Sequence, residues 1–299
     1  MIPAIQSEKL AQRFGAHPVL EGLDLLVPEG AIYAYVGANG AGKTTTIKTL
    51  LNLVPSAGGS AQLLGRDSRS LTPADFREIG LVSEGLRLPL WMTVGEYLSY
   101  LQPFYPTWDQ ALADDLLRQF ELPAGRKLQH LSRGMRMKAA LVSTLAFSPR
   151  LLFLDEPFSG LDALVRDELI QALLARAERM TVFLSSHDLS EIESFSTHIG
   201  YLEGGFVRFS EEMAALVNRF REVEVTLSAP AELPAAWPAE WLQPESSGCL
   251  IRFVDSRHDP AQTAAGIRQL LSGVASIECR PMSLRDIFVV LARNAKKAA

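Results

Sequence analysis

The sequence predicts an α/β fold built on a mostly parallel sheet, with a helical insertion and a small C-terminal α+β appendix. Apolar runs rich in branched residues, AIYAYV (31–36), IGLVS (79–83), LLFLD (151–155), TVFLSS (181–186) and IGYLEGG (199–205), read as strands buried on both faces. Helix-like stretches separate several of them, the alternation that brings strands parallel. Between residue 87 and about 148 that rhythm stops, and only helical spacing remains, as in DQALADDLLRQF with its apolar side chains three and four apart.

After Phe220 the character changes again. The stretch APAELPAAWPAEWLQPESSG (229–248) is rich in proline and small residues, and around it lie strand-like EVEVTL, CLIRFV and ASIECR and helix-like AQTAAGIRQLL and SLRDIFVVLAR. The expected division is therefore a domain at 1–221, its helical subdomain at about 87–148, and a small α+β domain at 222–299. Trp237 and Trp241 read as core of that small domain rather than as a ligand platform.

Hydrophobic residues make up 47% of the chain and charged ones 21%, with a net charge of −5, which argues against a dedicated nucleic-acid binder, though not against a local basic patch, and no nucleic-acid partner is expected. The two cysteines, Cys249 and Cys279, are far apart and have no histidine cluster beside them, which gives neither a disulfide framework nor a metal site. The opening MIPAIQSEKLAQRFG lacks a secretory pattern. No run approaches the ~18 apolar residues that span a bilayer. A cytoplasmic location is expected, with any membrane business done through a partner.

GANGAGKT (37–44) matches G-x-x-x-x-G-K-S/T between the strand AIYAYV and the helix-like TTTIKTLLNL, the context a phosphate cradle requires. Glycines there let successive backbone N–H groups turn toward phosphate oxygens, and the following helix adds its positive end. Lys43 is placed to reach the β- and γ-phosphates, and the Thr44 hydroxyl to ligate magnesium. LLFLDEP (151–157) ends a buried strand with two carboxylates. Asp155 would hold magnesium through water, and Glu156 would orient and deprotonate an attacking water. The plainer alternative is a strand-ending turn before Pro157. His187, at a strand end in FLSSHD, is placed to contact the γ-phosphate and steady that water, the alternative being an ordinary core or surface histidine. In LSRGM (131–135), Ser132 is a good helix N-cap, and a serine and glycine at a helix start make an anion site. Standing alone, the same residues read as a simply capped helix.

In their order and spacing, GANGAGKTT (37–45), LSRGM (131–135), LLFLDEP (151–157), SGLD (159–162) and His187 resemble the nucleotide-binding subunits of ATP-binding cassette (ABC) transporters. The resemblance covers roughly residues 1–220. It implies a P-loop NTPase core with an antiparallel subdomain, ATP and magnesium as ligands, and ATP hydrolysis coupled to transport. The cradle residues Gly37, Ala38, Asn39, Gly40, Ala41, Gly42, Lys43, Thr44 and Thr45 would hold the nucleotide, and Phe14 would stack on its adenine. Ser132 and Gly134 of one subunit would contact the γ-phosphate held by the other, with SGLD across the interface. The implied partners are a second copy, or a homologous cassette, in a head-to-tail dimer and a separate integral-membrane permease. That permease would place the subunit on the inner face of the membrane.

Two departures stand out. Glu84 replaces the family's glutamine at the end of the third strand motif; a carboxylate still ligates magnesium but donates no amide hydrogen bond. LSRGM replaces the commonest form LSGGQ, keeping the serine and second glycine. Variants of this kind, and the ending RPMSLRDIFVVLAR, resemble single-cassette bacterial exporters. The alternative is a soluble ABC-type ATPase in translation, repair or cluster assembly; the single cassette and the lack of a sustained heptad run speak for the transporter. For the appendix the options are a dimer brace, a regulatory module or a substrate sensor. Finally, GLRLPLWMTVGEYLSYLQPFYPTW (85–108) concentrates Leu88, Leu90, Trp91, Met92, Tyr97, Tyr100, Phe104, Tyr105 and Trp108, with Leu86 among them. Exposed members within 88–105 are expected to dock a short permease helix.

Overall fold

The computed structural model describes residues 3–83, 85, 87–234 and 236–298, the side chains of residues 292 and 295–298 excepted. Glu84, expected as a magnesium ligand, and Leu86 lie outside the described residues. The chain divides into two compact units, Met1–Ser210 and Glu211–Ala299. That division falls ahead of the 221/222 boundary drawn from composition. Glu211 already belongs with the second unit, where its carboxylate accepts two bonds from the Arg219 guanidinium.

In the first unit β1 (Ile5–Phe14) and β2 (His17–Val27) form a hairpin. After β3 (Ile32–Val36) and α1 (Lys43–Leu50) come β4 (Gly58–Leu63) and β5 (Arg66–Asp67), which join the hairpin in an antiparallel sheet of order β2-β1-β4-β5. β6 (Ile79–Ser83) is followed by a purely helical stretch, α2 (Val94–Leu101), α3 (Gln110–Gln119) and α4 (Arg133–Leu145). Side chains start each of these helices: Thr93 with Glu96 as a reciprocal capping box, then Asp109, then Ser132. The chain returns through β7 (Leu151–Asp155), α5 (Ala163–Leu174), β8 (Thr181–Ser186), β9 (His198–Glu203) and β10 (Phe206–Glu212).

The second sheet has the order β10-β9-β3-β8-β7-β6, and its pairs from β9 to β6 are parallel. Every residue of β3, β7 and β8 is buried, which is why they read as unbroken apolar runs. α1 packs into the core shared by both sheets: Ile47 and Leu50 belong to one buried cluster with Leu10 and Leu63 of the antiparallel sheet and Phe153 of the parallel one. Because β3, β8 and β7 are neighbours but far apart in sequence, their carboxyl ends open side by side. Val36 pairs with Ser186, and Asp155 with Ser185. The chain leaves those ends as the 37–44 loop, as His187 and as Glu156, so the topology brings three distant motifs to one edge.

The second unit continues from α6 (Met213–Arg219) into β11 (Arg221–Leu227), β12 (Trp241–Ser247), β13 (Leu250–Asp255), α7 (Pro260–Leu270), β14 (Val274–Pro281) and α8 (Leu284–Ala298). Its four strands form an antiparallel sheet of order β12-β13-β11-β14. Strand β12 falls inside the 229–248 stretch rich in proline and small residues. It tolerates Pro244 because it is an edge strand, with a break in register between Leu242 and Glu245 and Gln243 at φ 51. Trp237, Trp241 and Phe253 pack together, Trp241 stacked on Phe253 at 4.6 Å, in the core expected of the tryptophan pair.

Candidate functional site

Helix α1 starts at Gly42, in a left-handed conformation at φ 110, with no side-chain cap. The N–H groups of its first turn are thus left for another partner, whereas α2, α3, α4, α5 and α7 all spend a side chain on theirs. Glycine at 42 also allows close approach to β2, since a Cβ there would stand 3.1 Å from Val19 Cγ1. Together with the loop before it, this helix start borders a cleft of about 530 Å³ lined by Asn39, Gly40, Gly42, Lys43, Thr44 and Thr45, and across from them by Val19, Glu156, Ser159 and His187. Uncapped N–H groups at the positive end of a helix suit a phosphate chain.

Lys43 is 5% exposed. Its Nζ donates to the carbonyls of Gly37 and Ala38 at 2.7 and 3.2 Å and lies 3.1 Å from Glu156 Oε1. The other carboxylate oxygen of Glu156 is 2.8 Å from His187 Nδ1. Glu156 therefore stands between the cradle lysine and the strand-end histidine. It reaches there from an unusual backbone, in the left-handed region at φ 51 directly after β7. Thr44 Oγ1 donates to both oxygens of Asp155 at 2.8 and 2.9 Å, which gathers hard oxygen donors of the kind magnesium takes.

Ser185 escaped the sequence reading. Its hydroxyl donates to Asp155 Oδ1 at 2.7 Å and accepts from the Glu156 N–H at 3.0 Å, so one β8 side chain fixes both acidic residues. The paired serines before His187 in FLSSHD were the available signal.

Not every expected residue gathers here. Phe14 ends β1 at the hairpin turn, 52% exposed, and does not line the cleft. Ser132 and Gly134 are also absent from its walls. Ser132 caps α4 by accepting from the Met135 N–H, and Gly134 packs toward Val165 and Leu161. Arg133 lies against Gly160 of SGLD, where φ is +66 and an added Cβ would meet the guanidinium at 2.6 Å.

A second cleft in this unit, of about 1140 Å³, runs beside α2 and α4 and is lined by Leu88, Leu90, Trp91, Met92, Tyr97, Tyr100, Arg133, Arg136 and Met137 among others. Trp91 is 72% and Tyr100 55% exposed, whereas Leu88 and Tyr97 are buried and Tyr105 stacks on Phe147 at 4.0 Å. Among the described residues, no helix is long and apolar enough to cross a membrane.

A sequence model of the ABC transporter family matches residues 20–159. An uncharacterized ABC transporter ATP-binding protein of Bacillus subtilis, YhaQ, is 27% identical over 292 residues, covering 94% of this chain and 96% of its own. The daunorubicin resistance ATP-binding protein DrrA2 of Streptomyces coeruleorubidus is 32% identical over 240 residues, 77% of this chain and 74% of its own. A solved ATP-binding subunit of an ABC transporter superposes with a TM-score of 0.66 at 26% identity, covering 72% of this chain and 92% of that one.

Proposed function

Since this chain belongs to the ABC transporter family, we propose that it is the ATP-hydrolysing subunit of a transporter, driving export through a separate integral-membrane permease. The observation that carries the reading is Glu156 held between Lys43 and His187 beside an uncapped helix start. In this reading the cradle N–H groups and Lys43 take the phosphates, Lys43 exchanging its contact with Glu156 for one with phosphate oxygen. Released from the lysine, Glu156 accepts a proton from the attacking water, and His187 orients that water against the γ-phosphate. Thr44 and Asp155 would hold magnesium, which neutralises phosphate charge when bound. Phe14, at its hairpin tip, would meet the adenine.

The remaining donors, Ser132 and Gly134, do not reach the cleft of their own chain, so the complete site needs a second cassette placed head to tail. Dimeric cassettes are known among similar folds. The subunit would sit on the inner face of the membrane, held there by the permease.

The aromatic cleft beside α2 would receive a permease helix. Exposed Trp91 and Tyr100 are the anchors, and burial of such residues at an interface carries about 2 kcal/mol or more each. Trp91→Asp and Tyr100→Asp are expected to abolish co-purification with membranes in cells holding the cognate permease, while the isolated subunit still binds ATP and dimerises. Normal membrane association and transport across both variants would sink the docking model.

A further inference from the structure

Beneath His187 a polar connection runs to the helix that follows SGLD. Ser186, the last residue of β8, donates toward Glu191 Oε2 at 3.0 Å and accepts from the Asp188 N–H at 3.0 Å. Its hydroxyl thus pins the turn that carries His187. Glu191 is 8% exposed, and burial pushes its carboxyl above the usual carboxylate range. The groups facing it are Ser186, Arg166, Asp188 and His187; Arg166 and His187 favour its charge and Asp188 opposes it.

Arg166 stands on α5, one turn in. Its Nη1 is 4.0 Å from Glu191 Oε1, beyond hydrogen-bond length, and its Nε is buried with no hydrogen-bond partner among the described residues. A buried guanidinium N–H without a partner is costly, and the nearest carboxylate stands just beyond hydrogen-bond length of the same guanidinium, so the pair is not locked in one geometry. The start of α5 is part of SGLD itself. Asp162 caps the helix through its side chain, and its carbonyl accepts from the Arg166 N–H at 3.1 Å. Any shift of that loop therefore moves Arg166 directly. Farther along, Glu168 ties α5 to Lys138 of α4 at 2.5 Å.

We propose that Arg166 and Glu191 are a positioning pair that sets how firmly His187 is held against Glu156, and that movement of the SGLD loop acts on hydrolysis through this pair. The inference rests on the roles given to Glu156 and His187 above. When Arg166 closes on Glu191, the carboxylate is fixed, Ser186 is fixed with it, and His187 Nδ1 keeps its 2.8 Å approach to Glu156. Neither Arg166 nor Glu191 lines the nucleotide cleft, so both act through another residue.

Glu191→Gln keeps the volume and an acceptor for Ser186 but removes the charge; Arg166→Met keeps the stem and removes the guanidinium. Each is expected to lower kcat by up to about a hundredfold, the loss that a displacement of about 1 Å causes. KM for ATP should change by less than about twofold, since no group that touches ATP is altered. The double variant should be no worse than the worse single, and Arg166→Lys should recover part of the rate. A second readout does not depend on activity. The chain has five histidines, so the ¹⁵N imidazole signal of His187 can be assigned with His187→Asn, and it should move in Glu191→Gln and Arg166→Met. Additive losses, or an unmoved His187 signal in folded variants, overturn the pair. If Glu191→Gln fails to fold, Arg166→Met and Arg166→Lys decide on the same two readouts. A wild-type chain without ATPase activity would sink the functional reading, and the imidazole shift would still decide the pair.

Discussion

Glu156→Gln is expected to leave nucleotide binding intact and to lower ATP turnover by about two to four orders of magnitude, the range typical of losing a general base. The geometry explains the split. Both carboxylate oxygens are engaged, one by Lys43 at 3.1 Å and one by His187 at 2.8 Å, so the carboxylate stands where phosphate, lysine and water must meet. Glutamine keeps the length and suits the backbone at φ 51 as well as glutamate does, so the fold is undisturbed. Lys43 then has no carboxylate to leave, and ATP should bind at least as tightly as before. A fluorescent-nucleotide titration beside single-turnover hydrolysis checks both halves; an unchanged single-turnover rate would remove Glu156 from the chemistry. Lys43→Ala should fail the other way, weakening nucleotide binding itself, because the charged contact to phosphate is lost.

Ser132→Arg is expected to cost ATPase activity about two orders of magnitude, comparable to deleting a donor that steadies transition-state charge, while each chain still binds nucleotide. Ser132 is exposed at the start of α4 and does not line the cleft of its own chain, so on the proposed reading its effect is felt in a partner. Mixing provides the discriminating result. Glu156→Gln chains and Ser132→Arg chains are each inactive alone, yet their heterodimer contains one site with both groups intact, and activity should return on mixing. A mixture as inactive as its parents, or activity strictly linear in protein concentration down to monomer, would leave the signature helix as scaffolding only.

The parallel core was legible because β3, β7 and β8 are buried on both faces, which imposes unbroken apolar runs bounded by turn residues. The cradle was legible because its chemistry is local: glycines, lysine and threonine must follow one another along a single loop. What escaped was long in range or contrary to local propensity. Ser185 meets Asp155 and Glu156 from 30 and 29 residues away, and Arg166 meets Glu191 across another turn of the chain; no periodicity encodes such pairs. Strand β12 was hidden by Pro244, which disfavours a central strand but not an edge with a bulge. Ser132 was legible as the cap of α4, but which group, if any, Ser132 and Gly134 face outside their own chain is not written in a single sequence.

The uncapped start of α1 has a thermodynamic side. A helix whose first turn is completed by its substrate has part of its folding free energy in solution rather than in the chain. On the proposed reading, the stability of Met1–Ser210 becomes a function of the chemical potential of nucleotide, rising by about 2.7 kcal/mol when ATP stands at about a hundred times its Kd. Glu211–Ala299, with its own aromatic core and a side-chain cap on α7, draws nothing directly from that reservoir. One polypeptide would then carry two melting behaviours, one tied to the cell's energy charge and one indifferent to it.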